Sequence, residues 1–177
     1  MKIAMRIGYN RYYCDENFNE HIAFVKKNID TIDEITLFAE FCHYGYWDAE
    51  FTAKNTDTIR QRIIRYKQAG IKSVGINVLN TRGHTNDGWE VLAKTDLQHE
   101  VNGAGEEHPS CLCFSNEAFE EYITKRYAAY AATGADFIWM DDDISPMGGR
   151  RGCICDGCME KCNKAYGYAL TREEVVK

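Results

Sequence analysis

Four cysteines fall within ten residues, as Cys153-Ile-Cys155-Asp-Gly-Cys158 with Cys162 following, and two more stand together as Cys111-Leu-Cys113. Thiolates at this density suit tetrahedral zinc, with Zn–S bonds of ~2.3 Å. The Cys155-x-x-Cys158 step has the spacing at which backbone N–H groups stabilise a pair of sulfurs. Iron–sulfur ligation fits less well. The ferredoxin run Cys-x₂-Cys-x₂-Cys-x₃-Cys-Pro is broken by the first gap, and the Cys-x₃-Cys-x₂-Cys order of radical enzymes is reversed. Free thiols in a reducing cell are the bland alternative. The ligand set stays open at this point. Cys158 and Cys162 would share a helix face, Cys153, Cys155 and Cys158 lie nearest the loop, and one of Cys111 or Cys113 can complete the four. Cys14 and Cys42 are isolated and read as small buried hydrophobes.

A second concentration of chemistry is Asp141-Asp142-Asp143, which directly follows the apolar run Phe137-Ile-Trp-Met140. Carboxylates crowded at the end of a buried strand repel one another and lose solvation, so one is expected to hold its proton and serve as a general acid. Alternation along a strand puts Asp141 and Asp143 on one face and Asp142 on the other. A helix cap, or a salt bridge to Arg150 or Arg151, is the structural alternative. Aromatic and polar residues gather after other apolar runs: Asn10 and Tyr12, His43 to Trp47, and Asn80 to His84. Rings beside amide, imidazole and carboxylate groups would suit sugar binding, which makes Tyr12, His43, Trp47, Asn80, His84 and Trp139 candidate substrate contacts. His43, His84, His99 and His108 show no spacing of a catalytic metal site.

These groups need a frame, and the chain supplies an alternating one. Strands are expected at Ile3–Tyr9, Glu34–Phe41, Ser73–Leu79 and Asp136–Met140. Helices are expected from about Asn17 to Ile29, from a cap at Thr56 or Asp57 to Ala69, from Glu117 to Thr133, and from Asp156 to Tyr166, with another beginning near Thr171. Strands this apolar imply a parallel sheet covered on both faces. No Gly-x-Gly-x-x-Gly follows the first strand, which disfavours a dinucleotide-binding sheet. Polar residues after every strand favour four βα units of a (β/α)₈ TIM barrel, an α/β fold. Such a half-barrel over residues 1–177 reads as a fragment, or as a partner for a second half or a second copy.

Composition narrows the partners. The formal charge of −6, with no lysine or arginine stripe, gives no footprint for nucleic acid. Lys26-Lys27 and Arg60-Gln-Arg62 read as solvated helix faces. No signal peptide or membrane span is visible, so a cytoplasmic location is expected, and there eight cysteines argue for metal or thiols over disulfides.

The stretch from Asp141 through Cys158 resembles the fourth-strand region of glycoside hydrolase family 42, the β-galactosidase family of (β/α)₈ barrels. There an Asp-Asn-Glu ends strand four and a Cys-x-Cys-x-x-Cys zinc cluster follows. Cys113-Phe-Ser-Asn-Glu-Ala-Phe is similar to the stretch that brings the fourth ligand, and Thr36-Leu-Phe-Ala-Glu-Phe41 is similar to the second strand. The resemblance implies a structural zinc on Cys113, Cys153, Cys155 and Cys158, and hydrolysis of O-glycosidic bonds in carbohydrate. It puts the acid/base residue on Asp143 and the substrate-binding asparagine on Asp142, with Asp141 in support. Asp143 is one methylene shorter than the family's glutamate. The nucleophile expected near strand seven lies outside these residues, so the chain alone is expected to be inactive. The rival readings are a non-catalytic carbohydrate-binding or structural half-barrel, and a methyl-transfer barrel in which zinc is catalytic.

Overall fold

A computed structural model describes residues 3–43, 46–83, 95–141 and 152–176. In chain order its elements are β1 (Ala4–Ile7), α1 (Tyr9–Tyr12), α2 (Asp15–Lys27), β2 (Glu34–Phe38), α3 (Ala49–Gln68), β3 (Ser73–Val78), β4 (His99–Val101), β5 (Glu107–Leu112), α4 (Glu117–Ala131), β6 (Ile138–Met140), α5 (Asp156–Tyr166) and α6 (Arg172–Val176). The chain divides into two compact units, and one of the dividing points falls within α4.

The first, or sheet unit, covers described residues up to Cys42, Trp47–Leu79 and Lys125–Asp141. Its four strands run parallel in the order β1-β2-β3-β6. The fold is thus mixed α/β, as the alternation of apolar segments implies. Pairing of Ile7 with Leu37, Leu37 with Ile76 and Ile76 with Ile138 sets one row of side chains on one face. That row clusters with Phe18, Ile22 and Val25 of α2 and Ile59, Ile63 and Tyr66 of α3. The period of two in the strands meets the period of 3.6 in the helices, and the core forms where they face. The other face, one residue out of phase, carries Arg6, Phe38, Asn77 and Trp139. It is only partly covered, with Trp139 51% exposed, so the expectation of strands sealed on both faces is corrected.

Other boundaries move for identifiable reasons. β1 ends at Ile7 because Tyr9–Tyr12 turns into a helical turn, whose end is satisfied by a side chain. Arg62 Nε donates to the Tyr12 carbonyl at 2.8 Å, and its Nη2 reaches the Tyr13 carbonyl at 3.2 Å and Asp15 at 2.7 Å. Arg62 is therefore buried, not on a solvated face. α3 begins at Ala49, well before Thr56 or Asp57. Asp48 is its cap and accepts the Phe51 N–H at 2.7 Å, whereas Thr56 Oγ1 donates back to the Thr52 carbonyl at 2.9 Å. Cys14 is exposed and Cys42 half-buried, so neither is the buried hydrophobe expected.

The second, or hairpin unit, covers described residues His43 and Tyr46, Asn80–Gly83, Asn102 and its neighbours from Thr95 to Thr124, and Gly152–Val176. Here the stretch between Leu79 and Glu117, to which the sequence assigned no strand or helix, contains an antiparallel pair, β4 with β5. Asn102 closes its turn: the side-chain oxygen accepts from the Ala104 and Glu106 N–H groups at 2.9 and 3.0 Å. Among the described residues no helix is long and apolar enough to cross a membrane.

Candidate metal centre and strand-end site

Three short segments of the hairpin unit converge on the cysteines. Cys113 leaves β5 with its N–H donating to the Gln98 carbonyl at 2.8 Å, just ahead of β4. Ile154 N–H donates to the Val101 carbonyl at 3.0 Å, which fastens the Cys153–Cys155 segment to the end of β4. Cys155 is then the N-cap of α5, and Cys158 lies in the first turn. The Cys-x-x-Cys spacing thus places two sulfurs at a helix start, where the backbone N–H groups favour negative charge.

The four Sγ atoms of Cys113, Cys153, Cys155 and Cys158 all lie within 4.8 Å of one another. Cys113 Sγ is 3.5 Å from Cys158 Sγ and 3.7 Å from Cys155 Sγ. A tetrahedron with ~2.3 Å metal–sulfur bonds has edges of about 3.8 Å, so these thiols could hold a metal ion with little rearrangement. This set selects Cys113 over Cys111 and excludes Cys162, which is exposed. Cys111 is buried, and Cys113 and Cys155 form a small apolar cluster with Val101.

Without a metal three of these thiols are shifted from their ordinary range. Cys153 is pushed down to about 5, chiefly because Cys113 donates to it, with the Cys155 and Val101 N–H groups assisting against burial. The Val101 N–H lies 3.3 Å from its sulfur. Cys113 is pushed up by giving its proton to that bond and by burial. Burial pushes Cys158 up to about 11. A bound dication would displace these protons, so affinity rises with pH.

In the sheet unit, Asp141 directly follows β6. Asp141 Oδ2 accepts from Arg6 Nη2 at 3.1 Å and from Asn77 Nδ2 at 3.2 Å. The Arg6 guanidinium also donates to Asn77 Oδ1, and it sits 4.8 Å from the Phe38 ring centroid and 5.3 Å from that of Trp139. Asp142, Asp143 and His84 lie outside the described residues.

The remaining sequence candidates scatter. Tyr12 is wholly buried, and its hydroxyl donates to the Phe38 carbonyl at 2.6 Å, which makes it a core residue with no surface for a ligand. Trp47 is buried against Phe51 at 4.1 Å and Phe41 at 4.9 Å, again a packing position. Asn80, in the hairpin unit, is buried, and its Oδ1 accepts the Gly83 N–H at 2.7 Å. His43 is half-buried in the same unit.

Sequence reading missed two buried ion pairs. In the sheet unit Glu40 receives Arg126 and Tyr130 on Oε1, the latter at 2.8 Å, and the Leu79 N–H on Oε2 at 3.0 Å. In the hairpin unit Arg82 pairs with Glu100, both only 1% exposed. An acid inside the apolar run Leu-Phe-Ala-Glu-Phe41 was the available signal for the first. No family model matches the chain, and searches of curated proteins and of solved structures also return no match.

Proposed function

We propose that the hairpin unit holds a structural zinc ion on Cys113, Cys153, Cys155 and Cys158, and that the sheet unit is part of a glycosidase-type (β/α)₈ barrel hydrolysing O-glycosides. Four protein thiolates close the coordination of a tetrahedral ion and leave no position for substrate. That supports a bracing role and counts against the methyl-transfer reading. The observation carrying the hydrolase reading is the placement of Asp141 and a half-exposed Trp139, both against Arg6, at the C-terminal end of a parallel strand, where barrel enzymes hold their reacting groups. Asp143, two residues on, is the proton donor in this reading, and Asp141 supports it.

Asp141 accepts from both Arg6 and Asn77, which suits a binding or charge-balancing group better than an acid. This favours, as a second reading, a barrel that binds carbohydrate without cleaving it. Turnover of aryl β-galactosides by the complete barrel separates the two. Hydrolysis that falls at least a hundredfold in Asp143→Asn supports the first, and equal rates in wild type and variant refute its assignment. Elemental analysis should find about one zinc per chain, lost in Cys155→Ser or Cys158→Ser. Folded protein free of metal would refute the zinc.

A further inference from the structure

We propose that the face of the sheet opposite α2 and α3 is a binding site for an uncharged sugar ring, built from Trp139, Arg6 and Asp141 and held in shape by Asn77; the choice of sugar rests on the carbohydrate reading above. Strand register puts these residues together. Phe38 pairs with Asn77 and Asn77 with Trp139, so their side chains share a face, and Asp141 follows two residues later on the same side. Arg6, paired with Thr36, falls on that face too.

The array is open where a structural pair would be closed. The side chains of Arg6 and Asp141 are 44% and 26% exposed, and Trp139 is 51% exposed. By contrast, Glu40 and Arg126 in the same unit are sealed to 0% and 1%. Asn77 is itself fully buried and cannot meet a ligand. Its amide instead donates to Asp141 and its oxygen accepts from Arg6, so it fixes the pair as a positioning residue.

The chemistry on offer matches a pyranose. Such a ring presents an apolar C–H face and a rim of hydroxyls, each both donor and acceptor. Trp139 supplies an apolar platform of the right size, the Arg6 guanidinium supplies donors and Asp141 supplies an acceptor. The charge balance then chooses among sugars. Arg6 and Asp141 cancel at 3.1 Å, and the whole chain carries −6. A uronate or sugar phosphate would find no uncompensated cation, yet would have to shed its own hydration.

The test uses the metal-loaded full chain, with methyl β-galactopyranoside, methyl β-glucopyranoside and glucuronate as probes. Calorimetry and the indole N–H resonances of the tryptophans are the readouts. The neutral glycosides should shift the Trp139 indole signal and bind at least tenfold tighter than glucuronate. Trp139→Ala should weaken them at least tenfold. Asp141→Asn exposes the Arg6 charge and should move the preference toward glucuronate about tenfold. If Asp141→Asn fails to fold, the half-exposed Trp139→Ala decides alone. No Trp139 shift with either glycoside, tighter glucuronate binding by wild type, or affinity unchanged in Trp139→Ala would overturn the site. Binding at Trp139 without aryl-glycoside turnover by the complete barrel keeps the site and refutes hydrolysis. Turnover unchanged by Trp139→Ala and Asp141→Asn refutes the site and keeps hydrolysis.

Discussion

The two units of this chain are held together by different means. In the sheet unit eighteen buried side chains form one described cluster between strands and helices. In the hairpin unit the described apolar clusters are small: Leu112 and Phe119 with their partners, and Val101 among the cysteines. Burial at about 25 cal/mol per Å² can carry the first unit. The second gathers three short segments around four thiols, an arrangement that has low stability until a metal joins them. Apolar packing tolerates a broad chemistry at each position, whereas a thiolate cluster tolerates almost none.

Metal removal is the strongest way to break this comparison. Structural zinc contributes apparent free energies of roughly 10–16 kcal/mol in small domains. Chelation, or Cys155→Ser, should therefore abolish amide protection at Leu112, Cys113 and Ile154 while Val74 and Ile76 stay protected. Hydrogen exchange read residue by residue checks this. Simultaneous loss in both units would show that the division has no energetic meaning.

The sheet unit should fail through its buried charge before its surface. Glu40→Ala leaves Arg126 buried without its carboxylate, at a cost of about 3–5 kcal/mol. Denaturant midpoints followed on the sheet unit should fall accordingly, and a change below 1 kcal/mol would show that water replaces the acid. Gly75→Ala comes next. A Cβ there would sit 2.2 Å from the Phe137 ring, so overpacking of about 1–3 kcal/mol is expected. Phe137→Leu in the same chain should recover part of the loss.

The smallest effect sharpens the comparison through pH. His21 Nδ1 lies 2.8 Å from the Tyr66 hydroxyl, and burial, with Arg11 nearby, lowers its pKa below the ordinary 6.5. The unfolded chain then binds the extra proton first. Stability from this group is complete above about 6.5 and is lost as pH falls below it. Thermal midpoints of wild type should decline more steeply over that range than those of His21→Gln. Parallel declines would remove His21 from the account.

Legibility differed between the units for the same physical reason. Periodicity marked β2, β3, α2 and α5 closely, because amphipathic burial is written in local spacing. The α3 start was misread because Thr56 and Asp57 look like caps, while the true cap, Asp48, lies more than two turns upstream. The hairpin stayed hidden because β4 has only three residues and β5 includes Pro109, too little alternation to see. Cys153, Cys155 and Cys158 were readable as a metal loop from their spacing. Their meeting with Cys113 depended on a hydrogen bond from Ile154 to Val101, which no local pattern announces.

By itself, then, the sequence determined the parallel α/β scaffold and the presence of a thiol-rich loop, since both follow from residue type at short range. Tertiary structure alone decided which tyrosines and tryptophans are core and which are exposed. It also decided that Arg6, distant along the chain, stands against Asp141. Side chains of the same type differ in role only through neighbours that folding brings from far away, and burial is a property of those neighbours.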